Sequence, residues 1–302
     1  MTTLFLSKIT GATFPKTLRL FALPVATLLL IIADRLWGGM DSLEATMLAA
    51  VAIVVAGIPH GTLDVEIAAA HFGQKGIAIK SKIIAAYIGC AGLMVLLWII
   101  IPELALVAFL IISIIHFSRD WRGGVDPFLA MMVGWALVAL PALASPDAVA
   151  MIFTVLTGNP NGSVIAGLLG AASVPAALGS LVFAYWASRN HDPRSAVEVL
   201  ACIAAAMFLP PLIAFAVFFC GLHSPRHMHD ALRETGALSH AKKTMIIMAV
   251  SSLSLGFGVV MFLFQGNLSA DAGIIRAAFI LISTLTVPHF ILENILADKH
   301  RA

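Results

Sequence analysis

Residues 83–118 read IIAAYIGCAGLMVLLWIIIPELALVAFLIISIIHFS, and Glu103 is the only Asp, Glu, Lys or Arg in this run. The run contains two apolar stretches, 83–101 and 103–118, which meet at Pro102. Each is close to the roughly 20 residues that a helix needs to cross the hydrocarbon core of a membrane. Inside that core the backbone must satisfy its own hydrogen bonds, as a helix does. The run therefore predicts two consecutive transmembrane helices.

The remainder of the chain continues this pattern. Of 302 residues, 60% are hydrophobic and 11% are charged, and the mean hydropathy is +1.00. About a quarter of the residues in a soluble domain are charged, so that class is excluded. We expect an all-α integral membrane protein, a polytopic bundle of about 8–10 transmembrane helices forming a single domain over residues 1–302. The other apolar stretches lie near 20–38, 44–70, 127–144, 164–187, 196–222, 244–264 and 272–296, and a shorter one lies at 146–158.

Net charge and cysteine content exclude further classes. A net charge of +2 with scattered basic residues does not suggest a nucleic-acid partner. Cys90, Cys202 and Cys220 are odd in number and lie in apolar runs, so we interpret them as packing residues and not as a disulfide framework. The first apolar run lacks a small-residue cleavage site, which favours a retained helix.

The basic residues predict an orientation. With a cytoplasmic N-terminus and a crossing at 146–158, only Arg35, Arg189, Arg194 and Arg276 lie outside, as the positive-inside rule requires. We therefore expect about ten crossings of the inner (plasma) membrane with both termini cytoplasmic. Without that short crossing, four of the inner basic residues move outside and the asymmetry weakens. The inner set is Lys8, Lys16, Arg19, Lys75, Lys80, Lys82, Arg119, Arg122, Arg226, Arg233, Lys242, Lys243, Lys299 and Arg301.

Five of the ten histidines lie inside or at the ends of these apolar segments. Ionisable side chains at membrane depth are costly and mark functional sites. Neutral imidazole is the commonest metal ligand, so a buried metal ion would explain the group. The ten-crossing topology places all five in the cytoplasmic half of the bundle. The four motifs are Pro59-His60-Gly61-Thr62-Leu63-Asp64, His116-Phe117-Ser118-Arg119-Asp120, His223-Ser224-Pro225-Arg226-His227 and Pro288-His289-Phe290.

A carboxylate follows three of these histidines by four residues, a spacing that puts both side chains on one face of a helix. The pairs are His60 with Asp64, His116 with Asp120, and His289 with Glu293. Such a carboxylate can accept the second imidazole N–H and so orient a metal-bound ring. The alternative is that the three carboxylates form structural ion pairs with Arg119, Arg226 or Arg233.

Simpler interpretations exist for the other residues. A single intramembrane histidine is more often part of a hydrogen bond between helices than a metal ligand. His229 lies two residues from His227 and should face away from it on a helix. Phe117, Trp121, Phe218, Phe219 and Phe290 either line a tunnel for an apolar substrate or pack the core. We expect solvated side chains for His71, His191, His240 and His300.

In this order across a multi-helix chain, the motifs resemble those of the Brp/Blh family of bacterial and archaeal β-carotene 15,15′-dioxygenases. The resemblance implies cleavage of β-carotene by O₂ at a non-haem Fe(II), giving two molecules of all-trans-retinal that a rhodopsin could receive. Carried over by motif position, the catalytic residues and metal ligands are His60, His116, His223 and His227, while His289 is either a ligand or part of the pocket wall. Ser118 departs from the glycine expected there.

Other functions remain open on the residues alone. A membrane di-iron desaturase or hydroxylase would carry repeated His-x-x-His-His boxes, which this sequence lacks. A metal or proton transporter could use intramembrane histidines as a relay, and it would show acidic groups near the membrane centre and an internal repeat. A carotenoid- or retinal-binding protein without catalytic activity is the third alternative.

Overall fold

The computed structural model describes residues 16–72, 76–121, 126–190, 192–266 and 268–299, although not the side chains of 16–20 and 297–299. The described residues form helices and connecting turns, without strands. Three short turns interrupt the helices: 3₁₀ turns at Ile58–Gly61 and Arg119–Trp121, and a π-helical turn at Phe219–His223. The helices are α1 (Lys16–Trp37), α2 (Leu43–Gly57), α3 (Asp64–His71), α4 (Ile77–Ile100), α5 (Pro102–Ser118), α6 (Pro127–Ala144), α7 (Pro146–Thr157), α8 (Asn161–Ala171), α9 (Ser173–Arg189), α10 (Pro193–Phe208), α11 (Pro211–Phe218), α12 (Ser224–Glu234), α13 (His240–Leu263) and α14 (Ala270–Lys299).

The membrane class predicted from composition is confirmed. Within the described ranges, 6 helical segments are long and apolar enough to cross a bilayer, or up to 7 if the bent pair α8 and α9 is one span. Large apolar side chains such as Leu253, 76% exposed, cover the outside of the bundle, as expected for a surface that faces lipid. The six segments are Leu43–His71, Ile77–Ile100, Pro102–Trp121, Pro127–Ala144, His240–Leu263 and Ala270–Leu296.

Contacts between helix ends define two faces of the bundle. We call the face that carries His60, His116, His223 and His289 the site face. At the opposite face, Arg35 near the end of α1 donates to the carbonyl of Phe208 at the end of α10, at 3.4 Å. There too Asn159 donates to Glu103 Oε1, at the start of α5, over 2.8 Å.

The apolar stretch 196–222 turns back on itself and does not cross once, contrary to the sequence prediction. Leu209 adopts an extended conformation (φ −109°, ψ 155°), which its position before Pro210 favours, and this ends α10. The chain then returns through α11. Arg194 and Arg226, which flank the stretch, both bind Glu198, at 2.9 and 2.5 Å. The placement of Arg194 on the outer side, away from Arg226, was therefore wrong.

The short stretch 146–158 forms α7 and stays at the opposite face. It follows directly on the end of α6, and Asn159 just beyond it binds Glu103. The crossing that the charge count required of this stretch is therefore not made.

The turn within 196–222 adds one segment between the faces and the short stretch 146–158 removes one, so the expected number of ten is unchanged. Ten described segments run between the two faces, although only six of them, or seven with α9 as part of the bent pair, are long and apolar enough to count as membrane spans. Lys16 and Lys299 lie towards the same face. Since Arg189 and Arg194 move to the site face, Arg35 and Arg276 are the Lys and Arg residues left at the opposite face among those described. The segments are α1, α2, α4, α5, α6, α9, α10, α11 with the π turn, α13 and α14. Lys8, Lys75, Arg122, His191, His300 and Arg301 lie outside the described residues.

Candidate metal centre

The five histidines of the four motifs meet at the site face. The shortest distance between ring centroids is 4.4 Å, between His223 and His227, and His116 lies 4.8 Å from His223. The His60 and His289 rings are 5.2 Å apart. The helices that bear them are α5, α12, α14 and the two turns after α2 and α11, so residues far apart in sequence form one cluster.

Irregular backbone presents two of these rings. His60 lies in the 3₁₀ turn Ile58–Gly61, with Pro59 in its first turn, and His223 ends the π turn. A π turn inserts one extra residue into a helix and redirects the side chains after it. The two turns pack closely, because a Cβ atom added at Gly57 would lie 2.7 Å from Cε1 of Phe219. Glycine at position 57 is what permits this approach.

Several ring nitrogens in the cluster are buried without a hydrogen-bond partner. His116 and His223 are 1% and 0% exposed, and His289 is 6% exposed. Leaving a buried polar atom unpaired costs about 1–3 kcal/mol. Several such nitrogens in one place therefore suit a bound ion or molecule that they can contact. The unpaired atoms in the cluster are His60 Nδ1, His116 Nδ1, His223 Nε2 and His289 Nε2.

The spacing of these atoms fits a metal ion. Three overlapping triads can be drawn, and within each the candidate ligand atoms all lie within 4.8 Å of one another. An ion placed between the atoms of a triad could contact all three. Imidazole nitrogens bind first-row transition metals, including iron. The donor set and its unpaired nitrogens therefore fit the iron that the family resemblance implies. The triads are His60 with His116 and His289, His116 with His223 and His227, and His227 with His289 and Glu293.

Three carboxylates surround the rings, but two pair differently from the prediction. Asp64 Oδ2 lies 2.7 Å from Nδ1 of His289, and Asp120 Oδ2 lies 2.8 Å from Nδ1 of His223. The spacing had paired Asp64 with His60 and Asp120 with His116. Regular helix does not continue through either pair, because 3₁₀ turns intervene, and so both carboxylates point to rings on other segments.

Glu293 contacts the largest number of rings. Its carboxylate lies 3.2 Å from His289 Nε2, the i,i+4 partner that the spacing predicts, and also 3.2 Å from His116 Nδ1 and His227 Nδ1. The contacts to His116 and His289 lack the alignment of hydrogen bonds, so those nitrogens remain unpaired. Arg119 binds the same carboxylate at 3.1 Å. The carboxylates thus contact histidines and arginines together.

Two contributors were not singled out from sequence. Glu198 on α10 is 4% exposed and binds Arg226, which also donates to the Asp120 carbonyl at 3.3 Å. Its charge inside an apolar stretch was a usable signal. Tyr87 on α4 donates towards Asp64 Oδ2 at 3.3 Å, and nothing in its local sequence marks it.

The aromatic residues near the histidines pack against the site. Phe117 and Phe219 lie 4.9 and 5.3 Å from the His223 ring, and both are buried. Arg226 lies over Trp121 and Arg119 lies over Phe290. These contacts agree with packing around the site, and the tunnel stays a prediction.

A cavity of about 1240 Å³ adjoins the cluster at the site face. His60, His227 and His289 line it, together with charged groups such as Arg194 and apolar ones such as Leu292. His229 also lines this cavity, but its Nδ1 lies 3.1 Å from the exposed Asp230 and it belongs to none of the three triads. The cluster can therefore be reached from the site face.

Comparison with known proteins gives the family. The family model described as Beta-carotene 15,15'-dioxygenase matches residues 51–297. A curated relative, the Beta-carotene 15,15'-dioxygenase of Uncultured marine bacterium 66A03, is 31% identical over 258 residues, which cover 82% of this chain and 92% of the relative. No solved structure matches the chain. The matched region includes every histidine of the cluster, and the chain belongs to the β-carotene 15,15′-dioxygenase family.

Proposed function

We propose that this protein cleaves the central 15,15′ double bond of β-carotene with O₂ at a non-haem Fe(II) centre, giving two molecules of all-trans-retinal. The observation that carries the proposal is the cluster of buried imidazoles with unpaired nitrogens, in a membrane protein of this family. The iron ligands and catalytic residues we propose are His60, His116, His223 and His227.

Charge supports an ion at this position. Neutral imidazoles do not offset a divalent charge, and burying an uncompensated ion is costly. Asp64, Asp120 and Glu293 surround the rings, and Arg119 offsets part of their charge. A bound iron would supply the activation of O₂.

The protein groups hold the rings for that chemistry. Asp120 accepts the Nδ1–H of His223, which leaves Nε2 with its lone pair, directed away from the carboxylate. Phe117 and Phe219 pack on the same ring and exclude water from that side. The His223 ring is thus oriented and shielded from water on one side, while the cavity opens on the other side of the cluster. This arrangement suits a site that must admit a substrate.

The substrate class suits the location of the site. A C40 hydrocarbon dissolves in the bilayer, and the outer surface of the bundle is apolar. We propose that the site face is cytoplasmic, with the protein in the inner membrane and both termini cytoplasmic, because described basic residues concentrate at that face. Retinal released there could pass to a rhodopsin.

The test is expression in cells that accumulate β-carotene, with aeration and iron supplied. We expect loss of carotenoid colour and the appearance of about two retinal molecules per β-carotene lost, and no loss in cells kept without O₂. Folded protein that leaves β-carotene intact under aeration would contradict the proposal. Cleavage that continues unchanged after iron chelation would contradict the metal assignment alone.

A further inference from the structure

Tyr87 connects α4 to the metal-binding cluster. Its hydroxyl lies 3.3 Å from Asp64 Oδ2 and 3.3 Å from the carbonyl oxygen of Leu285. Asp64 Oδ2 is in turn 2.7 Å from Nδ1 of His289. Asp64 is 5% exposed, so few other groups compete for its oxygens. The three side chains form one hydrogen-bonded series from α4 through α3 to α14.

This series determines which nitrogen of His289 is free. An ionised carboxylate only accepts hydrogen bonds, so the ring nitrogen facing Asp64 must carry the hydrogen. Nδ1 therefore donates, and Nε2 keeps its lone pair. That Nε2 is buried without a hydrogen-bond partner, and His289 belongs to the triad with His60 and His116. A lone pair held in this way is what a metal ligand requires.

His227 has a different environment. Its Nδ1 lies 3.2 Å from Glu293 Oε1 and its Nε2 lies 3.5 Å from Asp120 Oδ1. Each nitrogen of both rings therefore has a carboxylate neighbour, since Glu293 Oε1 also lies 3.2 Å from Nε2 of His289. Of these nitrogens, His289 Nε2 is the one that is buried without a hydrogen bond. His289 thus has one nitrogen held by a hydrogen bond and the other without one, as in a metal-bound ring.

The position of Tyr87 fits a role in holding Asp64. Lys80, two turns earlier on α4, binds Glu66 of α3 at 2.6 Å, so α4 contacts α3 at both of these acidic residues. The Leu285 carbonyl lies one helical turn before His289, and the hydroxyl therefore sits against the turn of α14 that carries this ring. Without the hydroxyl, Asp64 loses a support while the aromatic packing remains.

We propose that His289 is a metal ligand and that Tyr87, acting through Asp64, is its positioning residue. This rests on the metal centre of the proposed function and adds one ligand and two supporting groups to it. Groups that orient a ligand typically contribute about 10–100-fold to metal affinity. The hydroxyl of Tyr87 should therefore affect metal binding even though it touches no metal.

The experiment measures metal binding and does not depend on turnover. The full chain is purified in detergent, stripped of metal and titrated with Co(II), with affinity from chelator competition and the ligand field from the visible absorption spectrum. Tyr87→Phe should bind Co(II) about 10-fold or more weakly. Tyr185→Phe is the matched control, because Tyr185 is 69% exposed and is the other of the 2 tyrosines. It should match the wild type.

Two further variants separate ligand from support. His289→Ala should change the Co(II) spectrum, because a ligand nitrogen is lost, and weaken binding beyond the effect of Tyr87→Phe. Asp64→Asn keeps the side-chain volume and should weaken binding to at least the extent of Tyr87→Phe, which provides the test if that variant does not fold.

The outcomes are distinct. An unchanged spectrum and affinity in His289→Ala would overturn the ligand assignment. Wild-type affinity in Tyr87→Phe, or in Asp64→Asn, would overturn the positioning role. If the wild type itself bound no metal in this titration, the proposed function would fail together with the inference, whereas unaffected variants of a metal-binding wild type would leave that function intact.

Discussion

Glu198 on α10 and Arg226 on α12 form an ion pair, with Nη2 of Arg226 2.5 Å from Oε2 of Glu198. The other carboxylate oxygen of Glu198 lies 2.9 Å from Nε of Arg194. One buried carboxylate thus joins two arginines that flank the stretch 196–222. Because both must lie at one face, this stretch enters the bundle and returns.

The first prediction concerns this topology. In a variant without Cys90, Cys202 and Cys220, single cysteines replace Arg189, His229 and Trp37. We expect a membrane-impermeant thiol reagent to label Trp37→Cys in intact cells, and Arg189→Cys and His229→Cys only after the membrane is opened. The reason is that Arg189 precedes α10 at the site face, whereas Trp37 ends α1 at the opposite face. If Arg189→Cys were labelled in intact cells while His229→Cys was not, the stretch 196–222 would cross the membrane once, contrary to the structure.

The failure of sequence analysis at this point has a physical cause. Hydropathy registers apolar composition, which is the same for one crossing and for two short antiparallel helices. What distinguishes them is the Leu209-Pro210-Pro211 break and the pairing of Glu198 across 28 residues of chain. The class of protein and the gathering of histidines followed from composition and motifs, because residue type and depth in the membrane already make a buried ionisable group costly without a partner.

The carboxylate pairing failed for a related reason. The i,i+4 rule applies only where the helix is regular, and it succeeded at Glu293 and His289 within α14. The 3₁₀ turns, one containing His60 and one following His116, break that regularity. Asp64 and Asp120 therefore reach histidines on other segments. This pairing depends on tertiary packing and cannot be read from the spacing of nearby residues. Tyr87 was missed on the same ground.

The second prediction concerns the histidines. His60→Ala, His116→Ala, His223→Ala and His227→Ala should each lower bound iron and nearly abolish retinal formation, measured on purified protein and in carotenoid-producing cells. His229→Ala is the control, because its ring contacts Asp230 and is outside the triads. If this control lost iron to the same degree, the choice of residues would be mistaken.

The third prediction concerns Asp120, which contacts both His223 and His227. Asp120→Asn keeps the volume but replaces one acceptor oxygen with a donor group, and the His223 ring loses a firm orientation. We expect about 10–100-fold weaker metal binding. Asp230→Asn changes the same chemical group at a side chain 67% exposed and should leave affinity unchanged. Equal affinities of the two variants would show that Asp120 does not orient a ligand.

The fourth prediction concerns the packing of α5 against α6 beside the site. A Cβ atom added at Gly134 would collide with the carbonyl oxygen of Ile114 and lie 2.8 Å from the backbone nitrogen of Ser118. Backbone cannot rotate away as a side chain can, so Gly134→Ala must separate the helices near His116. Overpacking of this kind costs about 1–3 kcal/mol. We expect a lower midpoint of thermal unfolding in detergent.

The control for this change is Gly92→Ala on α4, where an added Cβ has nothing within 4 Å. There alanine reduces the conformational entropy that the chain loses when it forms a helix, which stabilises the folded protein by about 0.5–1 kcal/mol. The two glycine-to-alanine changes should therefore shift the unfolding midpoint in opposite directions. A higher unfolding midpoint for Gly134→Ala would mean that α5 and α6 are further apart than described. The placement of Ser118 and His116 on α5 would then be wrong as well.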